Sequence, residues 1–229
     1  MITARSITGA AALWLCCSLA AADPYAKITQ PAGADGLGTG CSSGTLIGWT
    51  ADLSQGIFIS CGHGYDAYRP VAVEVDGQAA VEGRIIAINR EFDLSLVAAS
   101  ISRTQKIVPL ADQAPRECDR VGLAGFPDKK FCCCETCVSG RFWSRCECTP
   151  NWTLYQAPAR CSCPAGFHEL LVTAAASAPG LSGGAMLHHR KLAGVVIGRI
   201  TNAGDAGLVV PAETVRLFVR RNIALFYRG

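Results

Sequence analysis

Between residues 44 and 211 the chain is a succession of short apolar runs, each fenced by glycine or another turn residue. The first five are GTLIGW (44–49), GIFISCG (56–62), PVAVEVDG (70–77), GRIIAINR (83–90) and DLSLVAA (93–99). After PLADQAPRE (109–117) come RVGLAGFP (120–127), TCVSGRFWS (136–144), ELLVTAAA (169–176), GAML (184–187), LAGVVIGRI (192–200) and GLVVP (207–211). Runs this short, this closely spaced and this rich in Val, Ile and Phe predict an all-β sandwich or barrel. They fall into two β-rich halves that join near residue 112. One stretch breaks the pattern. After Pro211, AETVRLFVRRNIALF sets Val215, Phe218, Val219, Ile223 and Phe226 at spacings of three and four, which predicts a helix with one apolar face. Glu213 near its start and Arg220–Arg221 in its later part suit the helix dipole. Its simplest role is to pack against and close the fold.

Ahead of the first run lies a leader. Arg5 supplies a small positive region, AAALWLCCSLAAA (10–22) an apolar core, and Ala20 and Ala22 a small-x-small site, so cleavage is expected before Asp23. The apolar run is shorter than an ordinary membrane span. Trp14–Leu15 before Cys16 is unlike the small residues of a lipoprotein site, and no later segment is long and apolar enough to span a bilayer. The expectation is a secreted or periplasmic protein without a stable membrane anchor. A formal net charge of +3, with Lys and Arg scattered, indicates no nucleic-acid partner. Of thirteen cysteines, Cys16 and Cys17 leave with the leader. The odd number that remains leaves at least one thiol free, paired with another chain or bound to something.

Three segments carry groups that chemistry can use. FISCGHGYDA (58–67) puts His63 just after a strand, NREFDLSLV (89–97) puts Asp93 at a strand start, and SAPGLSGGAML (177–187) puts Ser182 among glycines. Taken singly, each has a plain reading: a hydrogen-bonded histidine, a turn aspartate, a loop serine. Taken together, the order His, Asp, Ser matches one of the known catalytic-triad orders. In that arrangement His63 takes the proton of Ser182 as it attacks an acyl carbon, and Asp93 holds the imidazole in the right tautomer. The adjacent pair His188 and His189, in LHHRKLAG, reads as exposed turn residues, and no metal site or cofactor is expected.

With these segments in hand, the chain resembles the trypsin-like serine peptidases of the chymotrypsin-type fold, and more closely the bacterial HtrA-like protease domains. GTGCSSGTLIG, SCGHG, FDLSLV, RVGLAGFP with CVSGRF, TAAASAPGLSGGAML, LAGVVIG and GLVVPAETV fall in the family's order, over residues 36–220. The resemblance implies two six-stranded antiparallel barrels: residues 23–111, and residues 112–229 with the terminal helix. It implies a protein or peptide substrate, and an oxyanion hole formed by the backbone N–H groups of Gly180 and Ser182. It also implies a primary pocket with Ala176 at its floor, Gly207 on its wall and Arg199 near its edge. Without a carboxylate there, cleavage is expected after uncharged, small to medium apolar residues, or after acidic ones if Arg199 governs. Leu181 stands where trypsin has an aspartate, and no Ile-Val-Gly-Gly-like start follows a processing site, so activation by a freed N-terminus is not expected. Nor is a PDZ domain expected after the helix.

Apart from CVSGRF, the segment FCCCETCVSGRFWSRCECTPNWTLYQAPARCSCPAGF (131–167), with its eight cysteines, fits no motif of that family and reads as a hairpin insert in the second barrel. Its Cys-x-Cys pairs, Cys146 with Cys148 and Cys161 with Cys163, each point to one face of a strand, so cross-strand disulfides would staple the hairpin. Cys134 and Cys137 form a Cys-x2-Cys, which suits a disulfide, a zinc half-site or a redox motif. Cys41 and Cys61 are a further candidate pair, near but not on the positions of the family's frequent bridge beside the catalytic histidine. Two other functions stay open: a non-catalytic peptidase-fold binding module, and a metal- or redox-responsive protein centred on the insert.

Overall fold

The computed structural model describes residues 24–31, 40–66, 69–75, 78–127, 132–144, 168–176, 178–200 and 206–223. The first barrel contains β1 (Tyr25–Gln30), β2 (Gly40–Trp49), β3 (Gly56–Cys61), β4 (Val71–Val75), β5 (Val81–Asn89) and β6 (Leu94–Ala99). It closes in the order β1-β2-β3-β6-β5-β4, every neighbouring pair antiparallel. The second contains β7 (Arg120–Gly125), β8 (Cys132–Ser144), β9 (His168–Ala176), β10 (Ala185–His188), β11 (Lys191–Ile200) and β12 (Ala206–Pro211). It closes as β10-β11-β12-β9-β8-β7, and α1 (Ala212–Ile223) follows.

Side-chain alternation follows from this closure. On β4, Val71, Val73 and Val75 are buried while Ala72 and Glu74 face outward. β3 and β6 are buried along their whole length, because β11 lies against β3 and α1 against β6. Ile57, Phe58 and Ile59 are thus all covered, each contributing about 1.5–3 kcal/mol of transfer free energy. The crossing between barrels is tied by backbone bonds. Val108 donates to Leu46 on the first barrel, whereas Ala111 donates to Leu192 on the second and Leu192 donates back to Pro109. On α1 the apolar stripe Val215, Phe218 and Val219 is buried, and Arg216 pairs with Asp112 at 3.5 Å.

Four features differ from the sequence expectations or refine them. The sixth strand of the first barrel, β1, has no counterpart among the apolar runs. Only Tyr25, Ala26 and Ile28 are apolar in YAKITQ, and its strand character comes from pairing with both β2 and β4. The cysteine-rich stretch does not begin as a separate hairpin: Cys132–Cys137 are part of β8, with Cys134 opposite Leu123 and Cys137 opposite Arg120. Cys41 and Cys61 are separate thiols with no bridge between them. His188 ends β10 with its ring 3.8 Å from Asp119, so it is half-buried, while His189 is an exposed turn residue with φ 49°. The expected leader, Cys146, Cys148, Cys161, Cys163 and Phe226 lie outside the described residues.

Candidate active site

The pairing of β3 with β6 ends at Cys61 opposite Leu94, so the next residues along the chain, Gly62 and His63, meet the residue before β6, Asp93. Gly62 donates its N–H to the Asp93 carbonyl at 2.8 Å. The approach is close enough that a Cβ on Gly62 would lie 3.0 Å from the Leu94 nitrogen. Asp93 has φ 54°, a left-handed conformation that aspartate tolerates better than most residues. Its carboxylate accepts three hydrogen bonds: Oδ1 from the backbone N–H of Gly62 (3.0 Å) and His63 (2.5 Å), Oδ2 from His63 Nδ1 (2.5 Å). With Nδ1–H directed at the carboxylate, the neutral imidazole has its lone pair on Nε2. Arg90 braces the loop by donating to the carbonyls of Gly62 and Tyr65, and Ser95 donates to that of Cys61 at 2.7 Å.

Burial by itself lowers the His63 pKa. The neighbouring Cys61 sulfur and the Asp93 carboxylate outweigh it and raise the value to about 11. The sulfur contributes charge only when ionised; the Asp93 bond is present whenever that carboxylate is.

Ser182 comes from the second barrel, on the loop before β10. Ala178-Pro179-Gly180-Leu181 forms a tight turn in which Leu181 donates to the Ala178 carbonyl at 3.0 Å. Proline at the second position and glycine with φ 91° at the third are what a type II turn demands. Leu181 is 4% exposed and packs into the second-barrel core with Val121, Leu123 and Val138. Leu181 is thus an apolar anchor for the loop. Beyond the serine, Gly183 (φ 83°) donates to Val196 at 2.7 Å, and Gly184 donates to Leu181 at 2.8 Å.

His63 and Ser182 line one cleft of about 260 Å³, floored and walled by Ala178, Pro179, Gly180, Gly198 and Arg199 from the second barrel, with Cys41, Ser42, Cys61 and Tyr65 from the first. Among the expected pocket residues, Arg199 lines the cleft. A β-bulge between Val196 and Gly198 precedes it and re-aims the strand. Gly207 is its register partner on β12, and Ala176 is opposite Ala206 one step along. A cluster that the sequence reading missed lies behind the cleft: the Tyr65 hydroxyl meets Ser42 Oγ and lies 3.3 Å from Ser60 Oγ. Burial and the charge of Cys61 hold the Tyr65 phenol well above its ordinary pKa, so it stays protonated.

No protein-family model and no curated protein sequence matches the chain. Solved structures do. The active form of the Rv3671c protease from M. tuberculosis superposes with a TM-score of 0.70 at 17% identity, over 87% of this chain and 80% of that one. An inactive form of the same protease gives 0.65 at 16% identity, over 87% and 88%. The serine endoprotease from Yersinia pestis gives 0.65 at 15% identity, over 89% of this chain and 64% of the other. The fold is that of the chymotrypsin-like serine proteases. In the chymotrypsin-like fold seen here, one barrel carries His63 and Asp93 and the other carries Ser182, and the cleft runs between them. At this level of identity the likeness concerns the fold; the chemistry rests on the side chains themselves.

Proposed function

We propose that the chain is an exported serine endopeptidase that hydrolyses peptide bonds through an acyl-enzyme on Ser182. The observation that carries this reading is the 2.5 Å bond from His63 Nδ1 to Asp93, with His63 lining the same cleft as Ser182. Ser182 Oγ attacks the substrate acyl carbon while His63 Nε2 accepts its proton. The tetrahedral oxyanion is met by the N–H groups of Gly180 and Ser182, donors of a kind worth about 3–4 kcal/mol each. Collapse breaks the C–N bond, His63 returns the proton to the leaving amine, and a water molecule repeats the sequence in reverse to free Ser182. Asp93 keeps Nδ1–H fixed and stabilises the imidazolium in both halves. Leu181, tucked into the core, orders the nucleophile turn without an ion pair to a new N-terminus, so removal of the leader suffices for activity.

The substrate is a protein or peptide whose residue on the acyl side of the cut is uncharged or acidic, since the expected pocket residues Ala176 and Gly207 bring no carboxylate and Arg199 stands at the edge. A buried, unpaired cation would be costly there. The decisive experiment is labelling of mature protein with a fluorophosphonate, wild type beside Ser182→Ala, with casein hydrolysis in parallel. Ser182→Ala is expected to lose labelling and several orders of magnitude of turnover. Near-wild-type hydrolysis by purified Ser182→Ala would overturn the mechanism.

A further inference from the structure

We infer that Ser43 is a positioning residue for the oxyanion donors, acting from the first barrel on the nucleophile loop of the second. This rests on the reading of Ser182 as nucleophile. Ser43, fully buried on β2, makes two hydrogen-bond donations to that loop. Its hydroxyl donates to the Gly180 carbonyl at 2.8 Å, and its backbone N–H donates to the Ser182 carbonyl at 2.7 Å. The two residues whose N–H groups would face an oxyanion are therefore both tied to one residue, one through a side chain and one through the main chain. The separation of those two residues is set by Ser43.

The hydroxyl is itself held in place. It accepts the N–H of Phe126 at 2.8 Å, and a Cβ on Gly125 would lie 2.5 Å from it, so the glycine makes room for the oxygen. Ser60 Oγ fixes the backbone of Ser43 from behind by donating to its carbonyl at 2.6 Å. On the loop side, the Gly180–Leu181 peptide is gripped at both ends: its C=O by Ser43, its N–H by the Ala178 carbonyl. Gly180 has almost no steric bias of its own between positive and negative φ. The constraint on where its N–H lies must therefore come from the groups around it, and the Ser43 hydroxyl is the one that reaches it from the opposite barrel. Removing that hydroxyl leaves the Gly180 carbonyl and the Phe126 N–H without this partner, and leaves the turn attached on one side only.

The test measures fluorophosphonate inactivation of mature wild type, Ser43→Ala and Ser60→Ala, resolving the limiting rate kinact from the apparent affinity KI, with thermal melts of each. Ser60→Ala removes a buried hydrogen bond of the same cluster that goes to the Ser43 carbonyl and not to the loop, although its Oγ lies against Gly183. Ser43→Ala is expected to lower kinact by roughly ten- to a hundredfold, short of the full loss of one donor, with KI changed less than about threefold. Ser60→Ala is expected to melt lower yet keep kinact within about twofold. Wild-type kinact in Ser43→Ala, or equal losses in both variants, overturns the inference. Should Ser43→Ala not fold, Ser43→Cys, a weaker hydrogen-bond donor, must show the same selective loss, and a wild-type rate there is equally fatal. If wild type and Ser182→Ala label alike, it is the nucleophile reading that fails, a distinct outcome that takes the inference with it.

Discussion

A methyl group added at Gly183 has no space to occupy. Its Cβ would fall well inside contact distance of the Ser43 carbonyl oxygen and Ser60 Oγ, and 2.9 Å from the Cys61 nitrogen. Two of these three are backbone atoms, so a side-chain rotation cannot relieve the clash. Restoring normal separation displaces the loop by roughly 1 Å. The residue also has φ 83°, where a side chain costs about 1–2 kcal/mol, and overpacking adds about 1–3 kcal/mol. For Gly183→Ala the sum is roughly 2–5 kcal/mol. At ~2–4 °C per kcal/mol for a chain of this size, Tm should drop by about 5–20 °C. Because Ser182 is the adjacent residue, a shift of ~1 Å should also slow fluorophosphonate labelling by about a hundredfold. Differential scanning fluorimetry and labelling time courses measure both. A variant melting within about 1 °C of wild type and labelling at the wild-type rate would refute this account of the close contact between barrels.

Further outcomes are expected. Asp93→Asn should cut turnover by about four orders of magnitude with the fold retained, because an amide nitrogen facing Nδ1 favours the imidazole tautomer that lacks a free Nε2 lone pair; a loss under tenfold would contradict the assigned role. The active base is neutral, and the His63 pKa is raised, so the acid limb of the kcat/KM profile should lie above the ordinary histidine range, with activity increasing as pH rises through it. Cys61→Ser should move that limb to lower pH, and an unmoved limb would show that the sulfur does not act on the base. The same raised pKa stabilises the fold fully below the ordinary histidine pKa of about 6.5, and that contribution fades as pH climbs toward about 11, which pH-dependent melts can follow. A randomised peptide library read by mass spectrometry should show cuts after uncharged residues, or after Glu and Asp if Arg199 governs; predominant cleavage after Lys or Arg would refute the pocket assignment.

What the sequence made legible is what depends on local signals. Eleven of the twelve strands announce themselves by apolar runs between glycines, and His63, Asp93 and Ser182 sit beside strand ends in a recognisable order. β1 was illegible because its polar residues alternate with only a few apolar ones, and its strand identity is conferred by β2 and β4. The same holds for the serines. In GCSSG, Ser42 and Ser43 look like turn residues, yet one contacts Tyr65 and the other contacts Gly180 and Phe126, far along the chain. Cys132–Cys137 misled in the opposite sense: a density of cysteine suggested a separate insert, while the backbone pairing with β7 continues through it.

Because the two barrels each hold part of the proposed reactive set, catalytic competence on that reading works as a coincidence signal. A chain still emerging from the ribosome, N-terminal barrel first, has an imidazole and its carboxylate but no hydroxyl to activate. A second barrel that closes alone has a hydroxyl without a base. Only docking, with Ser43 seated against the loop of Ser182, brings the parts into register. On the proposed reading, the interface does the work of a safety catch, keeping unfinished molecules from cutting themselves or their neighbours.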